Sequence, residues 1–470
     1  MSANRFSALA LAGPTPLDML RALPSIRVSP LPFLEQCVDR FGDTVAFPVP
    51  GLATMLVNDP AGVRRVLVEN AGNYTKATIQ YRSLALVTGT GLLTADNPVW
   101  RRRRDIVQPA FRHGALPSFA DAAARAAADL RHRWAQAPDQ VLDADRALLE
   151  AMIGVVGRTL FDDDLADLGE QVVEAVDESL RVIIARAQSP IPARLALRAA
   201  ARLRRTRAVI DNACATVIAR HGLPASSASP PGDAEGNVLS LLLAAERAGV
   251  IDRQAVRDEM VTMIIAGHET VAAALTWALY LLAGNPHVQN EIAAELDAVL
   301  AGRSPGWDDL PKLAHTRAVL DETLRLYPPA WVITRRSVAT DTVAGVDVPP
   351  GTLILISTWL VHRDARNFPD PTRFDPVRFL DGGGTPPISR RPSGSYLPFG
   401  VGPRLCIGRD AALAEGALML AGLLQGRHVG PAPGGSTKVG ADVGVDALIT
   451  LRPRGGLPLR LVDRSGPRPS

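Results

Sequence analysis

Apolar residues recur at three- and four-residue spacing through the middle of the chain, the pattern of helices that each bury one face. The spacing predicts helices over Ala122–Trp134, Asp145–Leu160, Leu168–Arg186 and Ala193–Arg220. Asn285-Pro286 reads as the cap of a helix running to Leu300, and Thr316–Tyr327 as another, stopped by Pro328-Pro329. Met260–Ala283 is apolar on every side apart from Thr262, His268, Glu269, Thr270 and Thr276. A helix without a polar face is either buried or spans a membrane, and the polar pair His268-Glu269 in mid-stretch favours a buried central helix. Strand-like runs flank the helical region: Thr44–Pro48 and Thr54–Val57 before it, then Val332–Ser337, Thr342–Val348 and Thr352–Thr358. Asp59-Pro60 marks a helix start. Cys406–Leu424 reads as a last helix, and Ala447–Arg452 with Leu457–Leu461 as a closing hairpin. The expected fold class is mainly α with small β-sheets.

The 470 residues are 47% hydrophobic and 21% charged, enough to bury a large core. There are no repeats, and the Pro/Gly/Ser-rich stretches Pro224–Gly236 and Asp381–Ser395 are too short to separate domains. We therefore expect a single catalytic domain over 1–470, with a peripheral lead (1–40) and tail (463–470). A net charge of +3 argues against a dedicated nucleic-acid binder. The three cysteines, Cys37, Cys214 and Cys406, lie far apart without a C-x-x-C pair, which excludes a disulfide framework and a zinc ribbon and indicates a reducing, cytoplasmic compartment. The apolar run Ala8–Ala12 is too short for a signal-peptide core, so neither an export signal nor a membrane anchor is expected.

One loop carries the densest chemistry. Phe399-Gly400-Val401-Gly402-Pro403-Arg404-Leu405-Cys406-Ile407-Gly408 is a glycine-punctuated turn that delivers one cysteine at the start of a helix. Helix amides and dipole favour the thiolate, the form a metal ligand needs. Gly402 and Gly408 would let backbone approach a flat ligand closely, and Arg404 places a cation two residues from the sulfur. Cys37 and Cys214 read as small buried hydrophobes. Ala266-Gly267-His268-Glu269-Thr270 offers small residues beside an acid and an alcohol. It lacks the second His that would make H-E-x-x-H a zinc site.

Together these segments resemble the cytochrome P450 superfamily. The loop matches F-x-x-G-x-R-x-C-x-G at every fixed position, and the central stretch matches small-Gly-x-acid-Thr. Glu322-Thr323-Leu324-Arg325 matches E-x-x-R, Phe374-Asp375-Pro376-Val377-Arg378-Phe379 matches F-x-P-x-R-F, and Trp100 with Arg104 matches W-x-x-x-R, continued by Gln108-Pro109-Ala110-Phe111. The resemblance extends from about Asp59 to Leu461. It implies the P450 fold, with heme b between the long central helix and the Cys406 loop. It makes Cys406 the iron ligand and assigns Thr270 and Glu269 to proton delivery during oxygen activation. Trp100, Arg104, Ala266, Gly267, Arg335, Phe399, Arg404 and Gly408 become cofactor contacts, with Arg336 the rival of Arg335 for a heme propionate, and Glu322, Arg325 and Arg378 a structural triad.

The activity implied is insertion of one atom of O2 into a lipophilic small molecule of terpenoid, fatty acid or polyketide type. Electrons would come from NAD(P)H through a separate ferredoxin or flavodoxin with its reductase. A peroxide-using or isomerising relative is the alternative; Glu269 and Thr270 count against it. Arg101, Arg102, Arg103 and Arg409 suggest an acidic electron partner. The candidate pocket segments are Thr75–Thr94, Ile183–Leu197, Met260–Ile264, Ala330–Thr334 and Gly444–Leu448.

Overall fold

A computed structural model describes residues 9, 11–165, 167–187, 197–221, 236–380, 394–433 and 443–464. The chain forms two compact units, each assembled from separated stretches: Met1–Arg82, Asp321–Cys406 and Val445–Leu451 in one, Ser83–Leu320, Ile407–Gly444 and Arg452–Ser470 in the other.

The first unit is built on a five-stranded sheet. In spatial order its strands are Thr44–Val49, Leu52–Val57, Leu353–Ser357, Val332–Ser337 and Tyr74–Thr75. The first two make an antiparallel hairpin with Val45 opposite Leu56, turning at Gly51 with φ 72°. Leu52–Val57 then runs parallel to Leu353–Ser357. Both faces are covered, and the side-chain period of two sorts residues between them. Met55, Val57, Ile354 and Ile356 join one apolar cluster with Val63, Val66 and Leu397. Leu56, from the opposite face, packs with Val45, Phe47, Trp331 and Trp359. Thr342–Val348 is not one strand: Asp341–Val343 and Val346–Val348 pair antiparallel about Ala344-Gly345, both at positive φ.

The second unit is helical. Leu116–Gln136 buries Phe119, Ala123, Ala126, Ala127, Leu130 and Trp134 along one stripe, and Ala144–Val156, Gly169–Ala187 and Leu197–Arg220 bear out the predicted periodicity with shifted ends. Asn285 precedes the helix Pro286–Leu300 without capping it; its side-chain amide donates to Leu281 O instead. The 31-residue helix Arg253–Ala283 starts at Asp252, whose carboxylate accepts from Ala255 N at 2.8 Å. It is long and apolar enough to cross a membrane, but 83% of that apolar window is buried inside the protein. The closing hairpin is corrected. Pro458–Asp463 lies between Val141–Asp143 and Arg427–Pro431 in a three-stranded sheet, while Leu451–Pro453 belongs to a separate ladder. The two proline- and glycine-rich stretches fall almost wholly outside the described residues, as do 188–196 of the pocket segment Ile183–Leu197.

Candidate active site

In the first unit, Leu397 N donates to His362 Nε2 at 2.9 Å as the chain enters the cysteine loop. Gly400 and Gly402 then turn it at φ 70° and 76°, and Cys406 N closes the loop on Phe399 O at 3.0 Å. Cys406 is exposed while Cys37 and Cys214 are buried. Burial pushes the Cys37 thiol up to about 11 and the Cys214 thiol up to about 12, so both are held protonated. The predicted helix start is too early: Cys406 lies in the loop, and the helix begins at Arg409 with Gly408 at its cap. The reason for Gly402 also changes. A Cβ there would lie 2.1 Å from Leu67 O, so this glycine answers to the protein's own backbone. At Gly408 a Cβ would meet only the Phe111 ring at an ordinary 3.6 Å, so packing does not demand glycine there.

Behind that loop lies a buried charge cluster. Glu322 and Arg325, one helical turn apart, are both 0% exposed. Arg325 Nε and Nη2 donate to the two Glu322 oxygens at 2.7 and 2.8 Å, and its remaining donors reach His362 O, Pro371 O and Arg373 O. Arg378 Nε stands 3.5 Å from Glu322 Oε1, which also accepts from Asp375 N at 2.9 Å. Burial raises the Glu322 carboxyl above its usual range, and the Arg325 bonds oppose that shift. The three predicted residues do come together.

Arg335 and Arg336 are neighbours on the strand Val332–Ser337, so they point to opposite faces. Arg335 is buried and donates to Thr334 O at 2.9 Å and to Tyr81 Oη at 3.3 Å. The ring of that tyrosine lies 4.8 Å from Lys76 Nζ. Arg336 lies instead 3.7 Å from the Cβ position of Gly351.

In the second unit, Trp100 is buried and Arg104 lies over its ring at 5.8 Å, so W-x-x-x-R forms one stacked pair. Of the arginines expected to meet an acidic partner, Arg101, Arg102 and Arg409 are exposed. Arg103 is not: it is 9% exposed and faces Glu259, Nε to Oε1 3.8 Å. It therefore leaves the patch.

The central helix singles out the predicted motif. From Ala255 to Leu282 every residue is buried except Ala266, Gly267 and Thr270, which share one face. Gly267 is held close to its neighbours, since a Cβ there would come 2.7 Å from Val156 Cγ2. Thr270 Oγ1 donates to Ala266 O at 2.7 Å, so the hydroxyl is back-bonded to its own helix and presents lone pairs to an approaching donor. Buried His268 bonds Ile264 O through Nδ1 at 2.6 Å, and burial takes its pKa down to about 4, keeping it neutral. Buried Glu269 is near enough to Arg452 to favour that cation's charge. Sequence reasoning missed Arg452, which binds Asp145 at 2.6 Å and Asp177 at 2.8 Å. Only its distance in the chain hid it.

Among the described residues, no three His, Cys, Asp or Glu side chains gather to hold a metal ion. Cys406 thus offers one exposed sulfur, which fits a metal that brings its other ligands in a macrocycle and does not fit a bare ion. A single cysteine sulfur is the donor that heme-thiolate proteins use. A sequence model of the family described as Cytochrome P450 matches residues 11–441, and the chain belongs to that family. It is 35% identical to cyclooctatin synthase of Streptomyces melanosporofaciens, over 86% of each chain. To pentalenene oxygenase of Streptomyces avermitilis it is 31% identical, over 93% of each. The crystal structure of CYP175A1 from Thermus thermophilus superposes with TM-score 0.75 at 31% identity, covering 96% of this chain and 100% of that one. The protein is a cytochrome P450 monooxygenase, an oxidoreductase with a heme cofactor.

Proposed function

We propose that this P450 is a cytoplasmic enzyme whose single heme domain comprises both units and hydroxylates or otherwise oxygenates a terpenoid. Electrons come from NAD(P)H through a separate ferredoxin or flavodoxin and its reductase. The observation that carries the reading is the face of Ala266, Gly267 and Thr270, the only part of the central helix between Ala255 and Leu282 that is not buried. Support for the substrate class comes from relatives named pentalenene oxygenase and cyclooctat-9-en-7-ol 5-monooxygenase, the latter 33% identical. Pocket segments such as Met260–Ile264 and Ala330–Thr334 carry no charged side chain, which suits a lipophilic substrate.

Cys406 would hold the iron of heme b, and Trp100, Arg104 and Arg335 its propionates, because guanidinium pairs naturally with carboxylate. Phe399, Arg404 and Gly408 complete the contacts on the cysteine side. Thiolate-ligated heme supplies the oxygen chemistry, the electron-rich sulfur favouring O–O cleavage. The chain's own task is protons. Ala266 and Gly267 keep one helix face free of bulk. Thr270 Oγ1, its proton committed to Ala266 O, accepts a hydrogen bond and so orients a donor. Glu269, in the field of Arg452, takes up and passes on protons. Such positioned transfer contributes roughly 100- to 10,000-fold in rate. Glu322, Arg325 and Arg378 only brace the cysteine loop.

Thr270→Ala tests this. The variant should retain its heme and its thiolate-type reduced carbon monoxide spectrum and still consume NAD(P)H, while a large share of electrons leaves as hydrogen peroxide. An unchanged ratio of product to NAD(P)H would remove Thr270 from proton handling. Cys406→Ala should abolish the thiolate spectrum, and its persistence would overturn the ligand assignment.

A further inference from the structure

Near its start the central helix carries a second acid that the proposed chemistry does not use. Glu259 is 0% exposed, yet its bonding is incomplete. Oε2 accepts from Leu92 N at 3.1 Å, whereas Oε1 has no hydrogen-bond partner and stands 3.8 Å from Arg103 Nε. Arg103 Nη1 and Thr262 Oγ1 are likewise buried without a partner. The preceding residue, Asp258, accepts from Thr90 N at 2.8 Å. Two adjacent carboxylates therefore grip alternate backbone amides of Gly89–Leu92. Glycines make the grip possible: a Cβ at Gly89 would overlap the Asp258 carboxylate at 2.1 Å, and one at Gly91 would lie 2.1 Å from Thr262 Oγ1.

The charged groups facing Glu259 are Arg103, from the helix Val99–Val107, and Asp258, from its own helix. From Gly89–Leu92 comes backbone only. The helix Val238–Arg247, packed on both helices, buries only apolar residues. Arg257 is engaged elsewhere, with Asp211, Asp258 and Val87 O. An acid so enclosed faces a single distant cation, and the Asp258 charge opposes its ionisation.

We propose that Glu259, Arg103 and the backbone of Gly89–Leu92 form a proton-operated clasp, which closes this segment on the central helix when Glu259 takes up a proton and loosens it when Glu259 ionises. The segment follows the helix Ile79–Thr88, and its role in admitting ligand rests on the reading above that Thr75–Thr94 borders the substrate pocket. Burial, only partly offset by Leu92 N and Arg103, pushes the Glu259 carboxyl up to about 7, whereas an opened, hydrated Glu259 returns to the ordinary carboxylate range. The closed form thus binds the proton more tightly, and opening grows easier as pH rises through about 7.

The test uses holoenzyme and 4-phenylimidazole, an azole that binds heme iron and needs no knowledge of the substrate. Its association rate, calculated on the concentration of unprotonated azole at each pH because an imidazole itself titrates in this range, should rise roughly 10-fold from pH 5.5 to 8 in the wild type. It should stay flat in Glu259→Gln, which keeps an acceptor for Leu92 N but cannot ionise. Arg103→Leu, which removes the cation favouring the ionised form, should move the midpoint to higher pH. Hydrogen exchange of the peptide spanning Gly89–Leu92, corrected for intrinsic pH dependence, reads the clasp independently of the pocket. Exchange equally insensitive to pH in wild type and Glu259→Gln would overturn the clasp. A pH-sensitive exchange beside a flat azole rate would overturn the gating role, and with it the placement of Thr75–Thr94 at the pocket.

Discussion

Glu322 and Glu259, one in each unit, are both 0% exposed, and they differ in how completely they are bonded. Glu322 receives two hydrogen bonds from Arg325, one from Asp375 N and the field of Arg378. Glu259 receives one amide and stands beside an arginine beyond hydrogen-bond reach. Burial raises both carboxyl groups. Where donors saturate the carboxylate, it is a fixed strut whose loss strands a charge. Where they leave an oxygen unmet, ionised and neutral forms lie close in free energy and the group can act as a switch.

The sharpest way to break that contrast is Glu322→Ala. It leaves Arg325 buried without a counter-charge, a loss of roughly 3 to 5 kcal/mol, so little folded holoprotein should be recovered. A soluble, heme-replete variant melting like the wild type would mean that the cluster carries no such load.

Glu259→Gln should behave oppositely. A carboxyl raised from 4.5 to about 7 in the folded protein makes stability fall as pH rises from about 4.5 to about 7, then level off. Gln removes that slope. Above pH 7 the variant should therefore be more stable than wild type, by up to about 3 kcal/mol. Denaturant melts at pH 5 and pH 8 decide it, and parallel pH profiles for the two proteins would count against a raised Glu259.

Thr262→Val should have the smallest effect. Replacing a buried hydroxyl that has no partner by a methyl of the same shape should stabilise the protein by about 1 kcal/mol. A lower melting temperature would show that the hydroxyl is bonded after all.

Much of this was legible in the chain, for identifiable reasons. Met260–Ala283 announced burial because it has no polar face, and the cysteine loop announced itself through closely spaced glycines around one thiol. The pairing of Pro458–Asp463 with Val141–Asp143 was not legible, since nothing local fixes a partner some three hundred residues away. Reading Arg103 with Arg101 and Arg102 as part of a surface patch was an error the helical period could have prevented. Trp100 and Val107 mark the buried face, and Arg103, three residues after Trp100, shares it. The exposed majority of the run masked its inward member. The unmet oxygen of Glu259 depends on a separation of 3.8 Å, and no sequence pattern records such a distance.

Gly402 has a consequence for anyone diversifying this chain in search of new substrates. A φ of 76° disfavours L side chains there, and any Cβ would strike Leu67 O. Trimming side chains elsewhere cannot create room, because the obstacle is a main-chain carbonyl. In a random library this codon should return glycine alone among active clones. Sequencing the survivors would chart which parts of the cysteine loop evolution is free to rewrite.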